Sequence, residues 1–258
     1  MRPRRALLLV LLAAGMVVAP AAAEIVQKGD LVVSFQGSIS PRTLPRKGTI
    51  PVGVTVAARI RRTDHGLPPS LRQISLQINR NGVLDRRGLP SCPIGRLQAT
   101  DSNHALAACG AAQVGGGRVG GFVAFPEQRP LPFRSRALAF NGRLADGRPA
   151  ILAHIYVPRP LPLTFVLAFS IERTPGTFGT RLVATVPKRT RRLTHITRFV
   201  LRLHRTYRAG GERHSYLSAG CPAPPGFPGA TFPLVRAGYR FDGEPPLATT
   251  LVRTCHVR

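Results

Sequence analysis

The chain has 258 residues, 37 of them basic and 11 acidic, for a formal charge of +26. That length is ample for a buried core, and the 43% hydrophobic content excludes a disordered polyelectrolyte. A large same-sign charge repels the protein from itself and draws it toward polyanions.

Residues 1–23 are predicted to be a secretory signal peptide. Arg2, Arg4 and Arg5 form a basic start, an uncharged Leu/Val/Ala run from Ala6 to Val18 follows, and Ala21-Ala22-Ala23 supplies small residues for cleavage before Glu24. The apolar run is short for a bilayer span, which needs about 20 residues. Removal of this segment leaves 34 basic and 11 acidic residues, a charge of +23 on residues 24–258. Only Lys28, Lys47 and Lys188 are lysines, and Arg makes up the rest of the basic set. No later stretch is long and apolar enough to form a membrane-spanning helix.

Residues 24–258 are expected to form an all-β, antiparallel sandwich of about a dozen strands with little helix. Ile50, Val52, Val54, Val56, Ala58 and Ile60 alternate with more polar positions, as do Ile74, Leu76 and Ile78. Leu163, Phe165, Leu167, Phe169 and Ile171 mark one face of a long strand. Successive strand side chains point to opposite faces, so each run buries one face and wets the other. Further strands are expected at Leu31 to Ile39, Val119 to Phe125, Ala137 to Phe140, Ile151 to Val157, Leu182 to Val186, Phe232 to Phe241 and Thr249 to Val257. Asn81-Gly82, Asn141-Gly142, Asp146-Gly147 and Asp242-Gly243 read as turns between them. His195 to Tyr207 carries both a helical and a strand pattern, and its β-branched content favours a strand. A short helix fits Ala105 to Gln113. One domain is expected, with a subdivision at 126–132 as the alternative.

Four cysteines occur, and spacing does not suit a metal site. Local pairing, Cys92 with Cys109 and Cys221 with Cys255, is the expected disulfide set, and disulfides agree with export.

Motifs for chemistry are sparse. Gly115-Gly116-Gly117-Arg118-Val119-Gly120 matches a glycine-rich dinucleotide pattern, but a loop precedes it and a β-type run follows, so a flexible β-loop is the better reading. Asp64-His65 reads as a solvated turn before an acid–base pair. Glu212-Arg213-His214-Ser215 holds the residue types of a hydrolase, yet a triad is defined by geometry, not by neighbouring letters. No serine lies in Gly-x-Ser-x-Gly. No catalytic residue, metal or cofactor is assigned.

The arginines fall largely on the polar phase of the strands. Arg59 and Arg61 share a face, and so do Arg198 and Arg202 if their segment is extended. Lys188, Arg189, Arg191 and Arg192 cluster in what reads as a loop, and these four are the candidate anion-binding residues. The expected partners are anionic cell-wall polymers or membrane headgroups outside the cell or at its envelope. Nucleic acid or polyphosphate is the alternative partner, weakened by the lack of Trp among the basic residues. A hydrolase with no recognisable motif is the third reading.

Three segments carry a resemblance. They are Cys221-Pro222-Ala223-Pro224-Pro225-Gly226-Phe227, Ala237-Gly238-Tyr239-Arg240-Phe241 and Thr249-Thr250-Leu251-Val252-Arg253-Thr254-Cys255. With Cys92-Pro93-Ile94-Gly95 and the run from Cys109 to Gly115, this pattern resembles uncharacterised secreted β-rich proteins of high-GC actinobacteria. The resemblance implies export, disulfides and β structure, and it transfers no site residue.

Overall fold

The computed structural model describes residues 23–258. The signal-peptide reading therefore lies, Ala23 apart, outside the described residues.

Period-two patterning becomes strand nearly everywhere it occurs. The first third contains β1 (Glu24–Lys28), β2 (Leu31–Ser40), β3 (Thr43–Leu44), β4 (Ile50–Pro51), β5 (Gly53–Arg62), β6 (Leu71–Asn79) and β7 (Gly82–Leu84). Next come β8 (Cys92–Pro93), helix α1 (Ser102–Cys109), β9 (Gln113–Val123), β10 (Leu131–Arg143), β11 (Pro149–Val157), β12 (Leu163–Arg173) and β13 (Phe178–Thr185). The last third holds α2 (Lys188–Leu193), β14 (Thr194–Leu203), β15 (Thr206–Ala209), β16 (Glu212–Ser215), β17 (Leu217–Ala219), β18 (Gly229–Phe241) and β19 (Leu247–Val257). The all-β expectation holds, and His195 to Tyr207 is extended, as its β-branched residues favour.

Fourteen strands form one curled sheet in the order β1-β2-β5-β14-β9-β10-β11-β12-β13-β6-β18-β19-β3, with β8 beside β10. Its two halves face each other across a shared apolar interior. Phe35 on β2 meets Tyr239 on β18 edge to face, with ring centroids 6.4 Å apart. The ends of the path meet through Arg253 on β19, whose Nε donates to the Gly37 carbonyl on β2 at 2.9 Å and whose guanidinium lies 3.8 Å from Glu24 on β1. A separate three-stranded sheet, β4-β17-β7, caps one end of the interior.

The segment from Cys92 to Ala112 covers the outer face of β10 to β12. Leu97, Ala105, Cys109 and Ala112 pack on Leu138, Phe140, Ala150, Leu152 and Val166, forming a second buried cluster. The Cys92–Cys109 bond ties this flap together, and Cys221–Cys255 joins β19 to the chain leaving β17. Helix α1 begins where the Asp101 carboxylate accepts from the amides of Asn103 and His104, satisfying two otherwise orphaned donors.

Three local expectations are corrected. The run from Gly115 to Gly120 is not a flexible loop but the middle of β9, paired on both sides. Asn141-Gly142 is not a turn. Both residues lie within β10, where Asn141 Nδ2 donates to the Pro90 carbonyl at 2.9 Å and Gly142 pairs with Cys92. Lys188 to Arg192 form helix α2 rather than a loop. Residues 126–130 belong to the connection between β9 and β10, and Leu131 and Pro132 begin β10, which pairs antiparallel with β9 in the large sheet.

Candidate anion-binding face

Strands β2, β5, β14, β9 and β10 are consecutive neighbours in the sheet and contain no Asp or Glu. Their inner phase is apolar. Phe35, Ala58, Phe199 and Val119 stand in one row across the first four strands. The pleat therefore sends the intervening residues outward. Arg59, Arg61, Arg118, Arg134, Arg136, Arg198 and Arg202 lie on that outer phase, and all seven are exposed.

The register brings them into rows. Arg59 is directly opposite Arg198, Arg198 is opposite Gly120, and Gly120 is opposite Arg134. In the next row Arg118 is directly opposite Arg136. Arg202 follows between Thr55 and Gly116, and Arg61 stands beside Val32 at the other end. With strands about 4.8 Å apart and same-face residues roughly 6.8 Å apart, the seven guanidinium bases share a patch about 14 by 20 Å. Among the described residues none of the seven is ion-paired. Their outward neighbours are uncharged: Ser34, Thr55, Ala57, Gly116 and Gly120 are small, and Val32 and Val200 are apolar. Charges spread over a patch of that size suit a long polymer better than a compact ligand.

Glycine makes the middle of this face possible. Gly115, Gly117 and Gly121 point inward from β9, and a Cβ on them would fall 2.1, 1.8 and 2.1 Å from carbonyl oxygens of β14. Only glycine permits that close approach of β14 to β9. The dinucleotide-like pattern is thus a packing requirement of a strand.

The four residues singled out in sequence stay together on α2 but differ in exposure. Lys188, Arg189 and Arg192 are exposed on α2. Arg191 is only 17% exposed, and its Nε lies 3.1 Å from the Asp242 carboxylate, which Arg72 also approaches at 3.5 Å. One member of the cluster is therefore neutralised within the fold. Arg59 and Arg198, which sequence spacing assigned to separate strands, become direct partners instead.

The other sequence candidates behave as structural groups. Asp64 is held by Arg62 Nη2 at 2.7 Å, and this contact draws its carboxyl down to about 2. His65 adopts positive φ in the exposed turn that follows. Ser215 is buried with Oγ donating to the Leu217 carbonyl at 2.6 Å, so it is engaged away from His214. His214 instead stacks on Tyr207 and places Nδ1 3.4 Å from Asp85. Asp85 also accepts from Arg87 Nε and Nη2, and that pairing, ahead of His214, lowers its carboxyl to about 2.

His154 was not anticipated from sequence. It is fully buried on the outer phase of β11 beneath the flap, with Nε2 3.0 Å from the Thr100 carbonyl. That carbonyl can only accept, so the ring proton sits on Nε2. Nδ1 is buried with no partner, and burial pushes the imidazole below its usual range. Among the described residues no three His, Cys, Asp or Glu side chains gather as a metal site, and no helix is long and apolar enough to cross a membrane. No protein family, curated protein or solved structure matches the chain.

Proposed function

We propose that this is an exported protein that binds anionic polymers of the cell envelope through the outer face of β5, β14, β9 and β10. The observation that carries this reading is the pair of directly opposed arginines, Arg59 with Arg198 and Arg118 with Arg136, on strands without an acid. Like charges directly opposite across strands destabilise a sheet by a few tenths to about 1 kcal/mol. Two such pairs in adjacent rows work against the fold, and an anion lying over them removes the repulsion. Two disulfides are compatible with an oxidising location, and the patch offers a polymer several phosphate or carboxylate contacts at once. Lys188, Arg189 and Arg192, exposed on α2, add further positive charge next to β14 in the chain.

Such binding sums many weak, screened contacts, and screening sets in over about 10 Å at 0.1 M salt. Retention on isolated envelopes should therefore fall steeply between low and high salt. Retention indifferent to salt contradicts the proposal. Nucleic acid is the competing polyanion, so equal-charge single-stranded DNA belongs in the same assay. Preference for DNA over envelope polymer would replace the proposed partner.

A further inference from the structure

The interior of the curled sheet is packed unequally along its length. At one end Leu31, Val33, Phe35, Ile60 and Ile196 are 0–5% exposed. At the other, Val54, Ile78, Leu84, Leu201 and Leu203 also face the interior but remain only half-buried. They line a cavity of about 90 Å³ beneath the β4-β17-β7 cap, completed by Leu217 and residues of β18. Apolar lining left within reach of water is unfavourable in proportion to its area.

The lining offers a ligand almost nothing polar. Asn79 is engaged within the fold, its Nδ2 donating to the Pro233 carbonyl at 2.8 Å and its Oδ1 accepting from the Asn81 amide at 3.0 Å. A ligand part entering here must be hydrocarbon. An apolar cavity of about 150 Å³ takes up benzene, so this smaller space suits the few carbons of a chain end better than a ring. Asn81, Gly82 and Val83, at the start of β7, form one rim of the cavity, and Val83 is 39% exposed. Exposed Arg80 adjoins that rim, on a chain of net charge +26. From this geometry we infer that the cavity binds the alkyl end of a single-chain anionic amphiphile, a fatty-acid-like molecule whose headgroup stays at the Asn81 rim beside Arg80. This site is separate from the arginine face and does not depend on it.

Decanoate kept below micelle formation is the probe, read by NMR on the methyl-labelled full chain. Saturable intermolecular contacts between its terminal methyl and the methyls of Val54, Leu84, Leu201 and Leu203 are expected. Leu203→Trp, which fills the space, should weaken binding by about tenfold or more. Decyltrimethylammonium should bind less tightly than decanoate. The contacts in the native chain test the idea even if the Trp variant fails to fold. Contacts absent from these methyls, or shifts confined to the arginine face near Val200, overturn it. Equal affinity for the cationic amphiphile overturns the anionic assignment. Replacing Arg59, Arg118, Arg136 and Arg198 together should leave decanoate binding intact. Its loss in that variant would place the ligand on the arginine face and refute a separate site.

Discussion

Two outer faces of the same sheet carry arginines and treat them differently. On β13, β6 and β18, Arg181 and Arg236 are held apart by Gln77, and Arg240 faces Gln73. Acids accompany that side, since Arg181 lies 3.9 Å from Glu172, and Asp242 serves Arg72 and Arg191. On β5, β14, β9 and β10 arginine meets arginine directly, and the strands contain no acid at all. Composition is common to both faces, so an arginine-rich chain does not by itself produce the second arrangement. Register and the exclusion of acids produce it, and those are the features a polyanion would use.

The largest effect should come from dismantling the opposed pairs. Replacing Arg59, Arg118, Arg136 and Arg198 with Ala should weaken polyanion binding by roughly a hundredfold at low salt, as expected when several phosphate-type contacts are lost. Replacing Arg181, Arg236 and Arg240 should cost far less, and equal losses would erase the distinction between the faces. Binding assays on the two variants, with circular dichroism to confirm the fold, settle which holds.

Removing the Cys92–Cys109 bond tests a region outside the comparison that supports one edge of it. Closing a loop of 17 residues corresponds to about 3 kcal/mol in the chain-entropy account. Cys92→Ser with Cys109→Ser should lower unfolding stability by up to that amount in denaturant titration. Because the flap covers the part of β10 beyond Arg136, local exchange protection at Leu138 and Phe140 should fall with it.

His154 gives the flap a pH dependence. Its imidazole is held neutral below the ordinary value of 6.5, so the unfolded chain takes up the proton first as pH falls. Stability should be unaffected by this group above 6.5 and should decline as pH drops below it, until the folded pKa is reached. Protonation would also give Nδ1 a buried hydrogen with no acceptor. His154→Gln should flatten the stability profile between pH 6.5 and 5. An unchanged slope would show that His154 does not titrate in this way.

The smallest effect is the most specific to the face. Arg59→Ala alone should stabilise the fold by a few tenths of a kcal/mol, because it relieves repulsion from Arg198. The same change at Arg236, which faces Gln77 and Thr250, should be neutral or slightly destabilising. Thermal unfolding of both single variants distinguishes them.

Strand positions were legible because alternation is a local signal, and Leu163 to Ile171 or Phe232 to Phe241 need no partner to be recognised. The cysteine pairs were legible for a similar reason, since each closes a short stretch of chain. The face was only half legible. Sequence shows Arg59 and Arg61 on one phase and Arg198 and Arg202 on another, but it does not show that β14 lies between β5 and β9. That register depends on pairing between residues from 71 (Thr194 and Val123) to 149 (Leu203 and Val54) positions apart, and on β9 glycines that looked like a loop. Arg191 misled for the converse reason, because its partner Asp242 lies on a distant turn. His154 and the Asp85–His214 contact were likewise invisible, since each arises where separate elements meet.

On the proposed function, the opposed arginines of the acid-free face bind polyanion as a set. Salt dependence of binding to a defined polyphosphate tests it most directly, comparing the native chain with the Arg59, Arg118, Arg136, Arg198 variant and the Arg181, Arg236, Arg240 variant. Each arginine that contacts the polymer contributes about one to the slope of log K against log salt. The four-residue variant should lose about four from that slope, while the three-residue variant keeps nearly the native value. Equal slopes in all three proteins would contradict the account.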